Sequence, residues 1–278
     1  MKSLLCFLVC SIAFLRPSAQ QMSCCSKDVN SSFAQLGNDK AFAMSHADPL
    51  PFVYVSDNGK AISFKAPDGT DAYGYEVKAK NPSSNYLFVF HEWWGLNDYI
   101  KKQCEEFSTS LGVNVIALDL YDRKVATTAD EAGKIMQSIK SERAEAIIRG
   151  AIDYVGKSAK INTIGWCFGG GWSLQAALLA GQQAAGCVVF YGAPEKDVNR
   201  LKTLNTDVLG IYGNKDQWIN PTVVNQFSDD MKKAGKKITV YRYDADHAFA
   251  NPSNPIYDKT ATEDAYKHVY EYLKAHIN

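Results

Sequence analysis

One cysteine of this chain lies in a setting typical of an enzymatic nucleophile. Residues 161–171 read as a short apolar strand, a turn with Cys167 at its apex, and the start of a helix. Gly165 and Gly169 flank the thiol, and because they lack a Cβ they permit the tight, strained turn of a nucleophile elbow. The helix directs backbone N–H groups and its positive dipole end at the sulfur, which favours the thiolate. The alternative interpretation is a buried structural cysteine at the end of a strand.

A thiol nucleophile needs a base, and the base needs an acid that orients it. Asp216 follows one apolar strand and His247 follows the last one. Both are therefore expected at the carboxyl edge of a parallel sheet, where α/β folds bind ligands. Asp244 and Asp246 compete for the role of acid, but they fit the order nucleophile, acid, base less well. The sequence thus predicts a triad of Cys167, His247 and Asp216.

Acyl transfer also needs two N–H donors for the oxyanion. One is predicted to be the backbone amide of Phe168, and the other the amide of Trp93, in the loop after an aromatic strand. Outside these motifs, three histidines are interpreted as residues without a chemical role. They are His46 in the N-terminal segment and His268 and His276 in the predicted terminal helix.

Taken together, these motifs resemble the dienelactone hydrolase family over roughly residues 60–278. The positions that carry the resemblance are the cysteine elbow, His91-Glu92-Trp93-Trp94-Gly95-Leu96-Asn97, Asp119-Leu120-Tyr121, Asp216 and His247-Ala248-Phe249. The resemblance implies an α/β-hydrolase that cleaves a lactone or ester through a thioester acyl-enzyme. It also implies that Glu92 contacts the resting thiol and helps to generate the thiolate when substrate arrives. The residues expected to line the substrate pocket are His91, Trp94, Tyr121, Arg123, Phe249 and Asn251.

The chain departs from this family at one position. In members that act on dienelactone, an arginine just after the His-x-Phe motif holds the substrate carboxylate, whereas this chain has Asn251 there. An amide does not replace a bidentate arginine clamp. Dienelactone itself is therefore not the expected substrate, unless Arg123 compensates.

Short strands and helices alternate from Phe52 onward, which predicts a mostly parallel sheet with helices on both faces. The predicted strands, besides the elbow strand, are Phe52–Val55, Ala61–Ala66, Ala72–Ala79, Asn85–His91, Val113–Leu120, Ala185–Tyr191, Asp207–Tyr212 and Lys237–Tyr243, the first three antiparallel. Capping boxes at Thr128 and Thr260 each predict the start of a helix.

The N-terminus has the pattern of a signal peptide over residues 1–19. A charged start precedes an apolar run too short to span a bilayer, and small residues follow it. A lipoprotein and a membrane-anchored protein are the disfavoured alternatives. We therefore expect an exported protein, periplasmic or secreted, with an extension over residues 20–50 and a hydrolase domain over residues 51–278.

The balance of charged residues limits the kinds of partner that this chain is expected to bind. The chain has 30 Lys and Arg against 30 Asp and Glu, so there is no basic excess for nucleic acid. We expect a monomer that binds a small ester or lactone and uses no cofactor or metal.

Cys24 and Cys25 are open to three interpretations: a vicinal disulfide, a weak metal site, or no function. The alternative function is a non-catalytic binding protein, or one that uses Cys167 as a redox-active thiol.

Overall fold

The computed structural model describes residue 33 and residues 35–277. The predicted signal peptide and Cys24 and Cys25 lie outside these residues. Within them, eight strands form one sheet. The strands are β1 (Gly59–Lys65), β2 (Asp71–Val77), β3 (Asn85–Phe90), β4 (Asn114–Leu118), β5 (Lys160–Trp166), β6 (Ala184–Phe190), β7 (Val208–Gly213) and β8 (Ile238–Tyr243). The helices are α1 (Lys40–Met44), α2 (Asp98–Leu111), α3 (Ala129–Ser138), α4 (Ser141–Val155), α5 (Phe168–Ala180), α6 (Val198–Leu201), α7 (Pro221–Lys233) and α8 (Lys259–Ile277).

The sheet has the order β1-β2-β4-β3-β5-β6-β7-β8. The first two strands are antiparallel to their neighbours, and the pairs from β4 to β8 are parallel. β4 lies on one side of β3 and β5 lies on the other. Right-handed crossovers therefore place α2 on one face of the sheet and α4 and α5 on the opposite face. This arrangement confirms the predicted α/β-hydrolase fold class.

The carboxyl ends of the parallel strands meet at one edge of the sheet. Glu92 follows β3, Cys167 follows β5, Asp216 follows β7 and His247 follows β8. Strands β4 and β5 are buried along almost their whole length, so the residues that follow them start from a rigid core. In the described part of the chain, no helix is both long and apolar enough to cross a bilayer.

Two local predictions are wrong. Phe52–Val55 forms no strand: Val53 and Val55 are each 83% exposed, and the amide of Tyr54 donates to the Asp98 carboxylate at 3.0 Å. The segment is therefore attached to α2 and not to the edge of the sheet.

The second error concerns the start of α8. Thr260 lies inside this helix, and its cap is Asp258, whose carboxylate accepts from the amide of Ala261 at 3.0 Å. At α3 the predicted cap is confirmed, because the Thr128 hydroxyl accepts from the Glu131 amide at 3.3 Å.

Candidate active site

Cys167 lies at the apex of a strained turn between β5 and α5. Its φ is 53° and its ψ is −117°, a conformation that is costly for a residue with a side chain. The turn is possible because its neighbours are glycines. A Cβ on Gly165 would lie 2.1 Å from the carbonyl oxygen of Gly169, and one on Gly169 would lie 2.2 Å from that of Phe90. The backbone around Cys167 therefore has the strained conformation that the sequence predicts for a nucleophile elbow.

A chain of hydrogen bonds links Cys167, His247 and Asp216. Nδ1 of His247 donates to the Asp216 carboxylate at 2.6 Å, and Nε2 of His247 lies 3.2 Å from Sγ of Cys167. The other Asp216 oxygen accepts from the amides of Trp218 and Ile219 at 2.8 and 2.9 Å. Because a carboxylate only accepts, the proton of the ring is on Nδ1 and the lone pair of Nε2 faces the sulfur.

The electrostatics of this pair differ in one respect from the sequence-based expectation. Burial raises the pKa of the Cys167 thiol, although the charge of His247, its hydrogen bond and the Phe168 amide oppose this shift. Burial would lower the pKa of His247, but the charges of Asp216 and of a Cys167 thiolate outweigh it and raise that pKa well above its usual value. Because the contribution of Cys167 requires a charged sulfur, the raised pKa belongs to the imidazolium that forms when the thiol gives up its proton. The helix end alone predicts a thiolate. The structure instead favours a protonated thiol at rest, because Cys167 is 0% exposed.

The cover over the thiol comes from the N-terminal segment. Helix α1 begins after Asp39, whose carboxylate accepts from the amide of Ala41 at 2.8 Å. The ring of Phe42 then lies 5.4 Å from the ring of His247 and 5.1 Å from that of Trp218. We call residues 35–50 the strap.

His46 is the residue that the sequence-based interpretation missed. It lies one helical turn after Phe42, is 1% exposed, and stacks on Trp93 with ring centroids 4.8 Å apart. Its ring centroid is 5.7 Å from that of His247. The spacing of Phe42 and His46 at i and i+4, after an Asn-Asp cap, was the available signal.

A cavity beside the strap reaches His247 but not Cys167. Its volume is about 290 Å³, and Met44, Ser45 and Trp218 are among the residues that line it. Because the sulfur of Cys167 is fully buried, a substrate can reach it only after the strap has moved.

We expect Phe42→Ala to increase the rate of Cys167 alkylation by iodoacetamide about tenfold or more. The substitution removes the ring contacts that hold the strap over His247, and about 1.4 kcal/mol of lost closure gives a factor of ten. Peptide mass spectrometry measures alkylation at Cys167. Phe52→Ala is the matched control, since Phe52 is partly exposed and lies outside the strap. Equal rates for the two variants would show that the strap does not control access.

Glu92 is a buried carboxyl group at the same edge of the sheet. Burial raises its pKa to about 7, opposed by the charge of His247 and by a hydrogen bond from Asn251. One of its oxygens is buried and has no hydrogen-bond partner among the residues that the structure describes. Its charge also raises the pKa of Cys167. Glu92 thus acts on the thiol electrostatically, and the implied direct contact with the resting thiol stays a prediction.

Glu92→Gln should change how stability depends on pH. Because the folded-state pKa of about 7 lies above the ordinary value of 4.5, the native state keeps a proton that the unfolded chain releases. The free energy of unfolding of the wild type therefore falls as pH rises through this window. Between pH 5 and pH 8, the free energy of unfolding of the variant should rise by roughly 2 to 3 kcal/mol relative to that of the wild type. Urea unfolding at the two pH values measures this difference.

Glu105→Gln is the control for that measurement. In Glu105, hydrogen bonds from Ser56 and Tyr75 outweigh burial and lower the pKa of the carboxyl. That variant should lose stability relative to wild type as pH rises from acid. A Glu92→Gln variant whose stability follows the wild type at both pH values would contradict the raised pKa.

Of the other residues predicted to line the substrate pocket, some hold the loops of the site in place and do not face a substrate. The ring nitrogens of His91 are both engaged by the backbone: Nδ1 donates to the Glu92 carbonyl at 2.9 Å and Nε2 accepts from the Leu120 amide at 3.1 Å. Tyr121 donates to the Trp93 carbonyl at 3.3 Å. His91 and Tyr121 therefore hold the loop after β3 in place, and His91 has no ring nitrogen left for a substrate.

Trp94 and Asn251 line a cavity of about 20 Å³ beside Glu92, which has room for about one water and not for a substrate. Phe249 is fully buried and packs on Tyr191 at 5.7 Å. Trp94 and Asn251 therefore lie beside Glu92, and Phe249 is part of the packing around Tyr191.

Arg123 does not replace the missing arginine. Its φ is 72°, its guanidinium lies over the ring of Tyr73 at 5.2 Å, and it lines a groove with residues of β1 and β2. Arg123 thus lies in that groove and does not line the cavity that reaches His247, a position that the sequence alone does not show.

The sheet, the elbow and the residues after β7 and β8 define an α/β-hydrolase, and comparison with known proteins gives the family. Residues 72–277 match the dienelactone hydrolase family. The chain belongs to this family and is a hydrolase of its ester- and lactone-cleaving type. The match begins after the strap, so the segment that carries Phe42 and His46 lies outside it.

Curated relatives and solved structures agree with this assignment. The chain is 26% identical to "Protein usf" of Aquifex pyrophilus and 25% identical to a putative carboxymethylenebutenolidase of Aquifex aeolicus, each alignment covering 79% of this chain and 99% of the relative. In fold it is similar to a putative dienelactone hydrolase of Klebsiella pneumoniae, with a TM-score of 0.64, 22% identity and coverage of 78% and 98% of the two chains. It is likewise similar to a dienelactone hydrolase-like promiscuous phosphotriesterase from metagenomic libraries, with a TM-score of 0.69, 21% identity and coverage of 80% and 100%.

Proposed function

We propose that this protein hydrolyses a small ester or lactone through a thioester on Cys167. The observation that carries the proposal is the pair of contacts made by His247, 3.2 Å to Sγ of Cys167 and 2.6 Å to Asp216. A base within hydrogen-bond reach of a nucleophile, oriented by a buried acid, is the arrangement that nucleophilic catalysis needs.

In the proposed first step, Cys167 transfers its proton to His247 as the sulfur attacks the carbonyl carbon. Asp216 stabilises the imidazolium that forms. The Phe168 amide already interacts with the sulfur, and with the amide of Trp93 it is proposed to bind the oxyanion. The imidazolium then protonates the leaving alkoxide. In the second step His247 takes a proton from water, whose oxygen attacks the thioester carbonyl. The C–S bond breaks, the carboxylic acid leaves, and the imidazolium returns its proton to the sulfur.

Glu92 is proposed to complete the activation of the resting thiol. The buried sulfur is protonated at rest, so the thiolate forms when substrate enters and the strap rearranges. A carboxyl group with a pKa of about 7 is able to exchange a proton near neutral pH.

We also propose, from the sequence, that the protein is exported to the periplasm or the medium and that it is a monomer.

A screen of esters and lactones tests this function. We expect turnover of activated esters such as p-nitrophenyl acetate and of small lactones, and no turnover above background by Cys167→Ala. Cys187→Ala is the matched control, because Cys187 is also buried but lies within β6. A wild type without activity on any such substrate, or a Cys167→Ala variant with full activity, would overturn the proposal.

We expect a neutral substrate to be preferred over one that carries a carboxylate. Asn251 holds the place of the arginine, Arg123 points elsewhere, and Glu92 places a second carboxyl group beside the thiol. Lys215, at the mouth of the cavity that reaches His247, is paired with Asp244 at 3.1 Å. The ratio kcat/KM should be at least about tenfold higher for a lactone methyl ester than for its free acid, a difference of about 1.4 kcal/mol. A preference for the free acid would contradict this assignment.

The redox alternative is less well supported. An oxidation-sensitive thiol is exposed and has a low pKa, whereas Cys167 is fully buried and its pKa is raised.

A further inference from the structure

Three buried side chains from distant parts of the sequence point their ligand atoms at one another. One ring nitrogen of His46, Sγ of Cys167 and one ring nitrogen of His247 all lie within 4.8 Å of one another. Nε2 of His247 is the nitrogen beside the sulfur, and Nε2 is the nitrogen of His46 that the Phe42 carbonyl leaves free. The sequence indicated no metal site, because these residues have no ligand spacing. The strap brings His46 to the other two.

The two imidazoles are oriented as metal ligands usually are. Nδ1 of His247 donates to the Asp216 carboxylate at 2.6 Å, and Nδ1 of His46 donates to the carbonyl of Phe42 at 2.8 Å. A hydrogen bond at the outer nitrogen fixes the tautomer and leaves the lone pair of Nε2 directed inward. Both lone pairs therefore face the sulfur.

His46 supplies a second, independent observation. Its Nε2 is buried without a hydrogen-bond partner among the described residues, and the side chain is 1% exposed. An unsatisfied buried acceptor destabilises the folded state. The lone pair on Nε2 of His46 would be satisfied by a hydrogen-bond donor or by a cation.

We propose that His46, Cys167 and His247 form a reversible inhibitory site for a thiophilic divalent cation of the Zn²⁺ type. Two imidazoles and one thiolate are borderline-soft ligands that suit Zn²⁺, and a water molecule would be the fourth ligand. Tetrahedral Zn²⁺ with bonds of about 2.0 to 2.3 Å spaces its ligand atoms roughly 3.3 to 3.6 Å apart. The distance of 3.2 Å between His247 and Cys167 is close to this, and the strap has to bring His46 inward by a small amount. Ca²⁺ and Mg²⁺ prefer oxygen ligands and are not expected to bind.

Binding is expected to block hydrolysis, an effect that rests on the proposed function. Zn²⁺ forms a bond to the sulfur, and the thiol proton is released to solvent. The metal occupies the sulfur lone pair that would attack the carbonyl and the His247 lone pair that would accept the proton. No oxidation takes place, so a chelator restores the free thiol. Metal binding itself does not depend on catalysis.

The test uses the protein with Cys24→Ser and Cys25→Ser, since those thiols lie outside the described residues and are potential ligands themselves. Co²⁺ is titrated in the absence of substrate and followed by its thiolate-to-metal charge-transfer absorption, and Zn²⁺ is then added in competition. We expect one metal per chain, and His46→Gln should weaken Zn²⁺ binding at least about 100-fold. His268→Gln is the matched control, because His268 lies on α8 and stacks on Tyr241. Absence of the charge-transfer band, or unchanged binding by His46→Gln, would overturn the site.

Two further measurements keep the result interpretable. X-ray absorption at the zinc edge of the protein with an intact His46 should show one sulfur and two imidazole ligands, so a His46→Gln variant that fails to fold does not decide the matter. A coordination shell without sulfur, or with a single imidazole, would refute the site. Esterase activity of each variant is compared with its own activity in chelator. Metal binding without any esterase activity would overturn the proposed function and leave the site standing.

Discussion

Replacement of His247 by Gln is expected to lower kcat for ester hydrolysis by about 10⁶-fold, the scale seen when the base of a comparable triad is removed. Glutamine has no basic nitrogen to accept the Cys167 proton across the observed 3.2 Å, and it cannot protonate the leaving group. Burial would then raise the thiol pKa without opposition from the imidazole. Steady-state kinetics with p-nitrophenyl acetate measures the loss.

The control for that variant is His276→Gln. His276 lies at the far end of α8 and contacts Asp207 at 2.7 Å, away from the thiol. Its replacement should leave kcat within about twofold. A His247→Gln variant that keeps more than a tenth of the activity would show that another group accepts the proton.

Replacement of Asp216 by Asn should lower kcat by about 10⁴-fold. The amide oxygen is still able to accept from the Trp218 and Ile219 amides, so the loop after β7 should stay in place. The amide nitrogen would instead donate to Nδ1 of His247, which moves the ring proton to Nε2 and removes the lone pair that faces the sulfur. The imidazolium would also lose its buried counter-charge. The effect is expected in kcat, with KM little changed.

Asp244 and Asp246 provide matched controls for Asp216. Both are exposed, and Asp244 pairs with Lys215 at the surface. Asp244→Asn and Asp246→Asn should retain activity within about twofold. Because Asp216 acts through His247, the double variant His247→Gln, Asp216→Asn should be no slower than His247→Gln alone. Additive losses would contradict this coupling.

The elements that position the site are largely predictable from the sequence. Apolar strands alternating with amphipathic helices give a parallel sheet, and the chain order of Cys167, Asp216 and His247 places all three at one edge of it. The Gly-x-Cys-x-Gly pattern even predicts the backbone strain, because the close approach of Gly169 to the carbonyl of Phe90 excludes a side chain. These inferences succeed because each depends on local sequence and on the topology of the sheet.

The parts that the sequence did not predict depend on contacts between distant segments. His46 lies in a segment without sustained periodicity, and only packing of α1 on Trp93 and Trp218 brings it to Cys167. The raised pKa of the thiol has the same origin, since the strap and its neighbours bury a sulfur that the helix end would otherwise ionise. The position of Arg123 depends on its contact with the ring of Tyr73 on β2, which residue types alone do not indicate. The exposed segment Phe52–Val55 has an apolar pattern but no strand partner.

The central claim is that Cys167 carries the acyl group, and trapping that group tests it most directly. The protein is mixed with excess p-nitrophenyl acetate, quenched in acid at short times and analysed by intact and peptide mass spectrometry. We expect a burst of one p-nitrophenolate per chain, a single acetyl group located on Cys167, and its accumulation in proportion to the burst. Turnover without an acetylated intermediate at any time, or an acetyl group on another residue with Cys167 unmodified, would contradict the account.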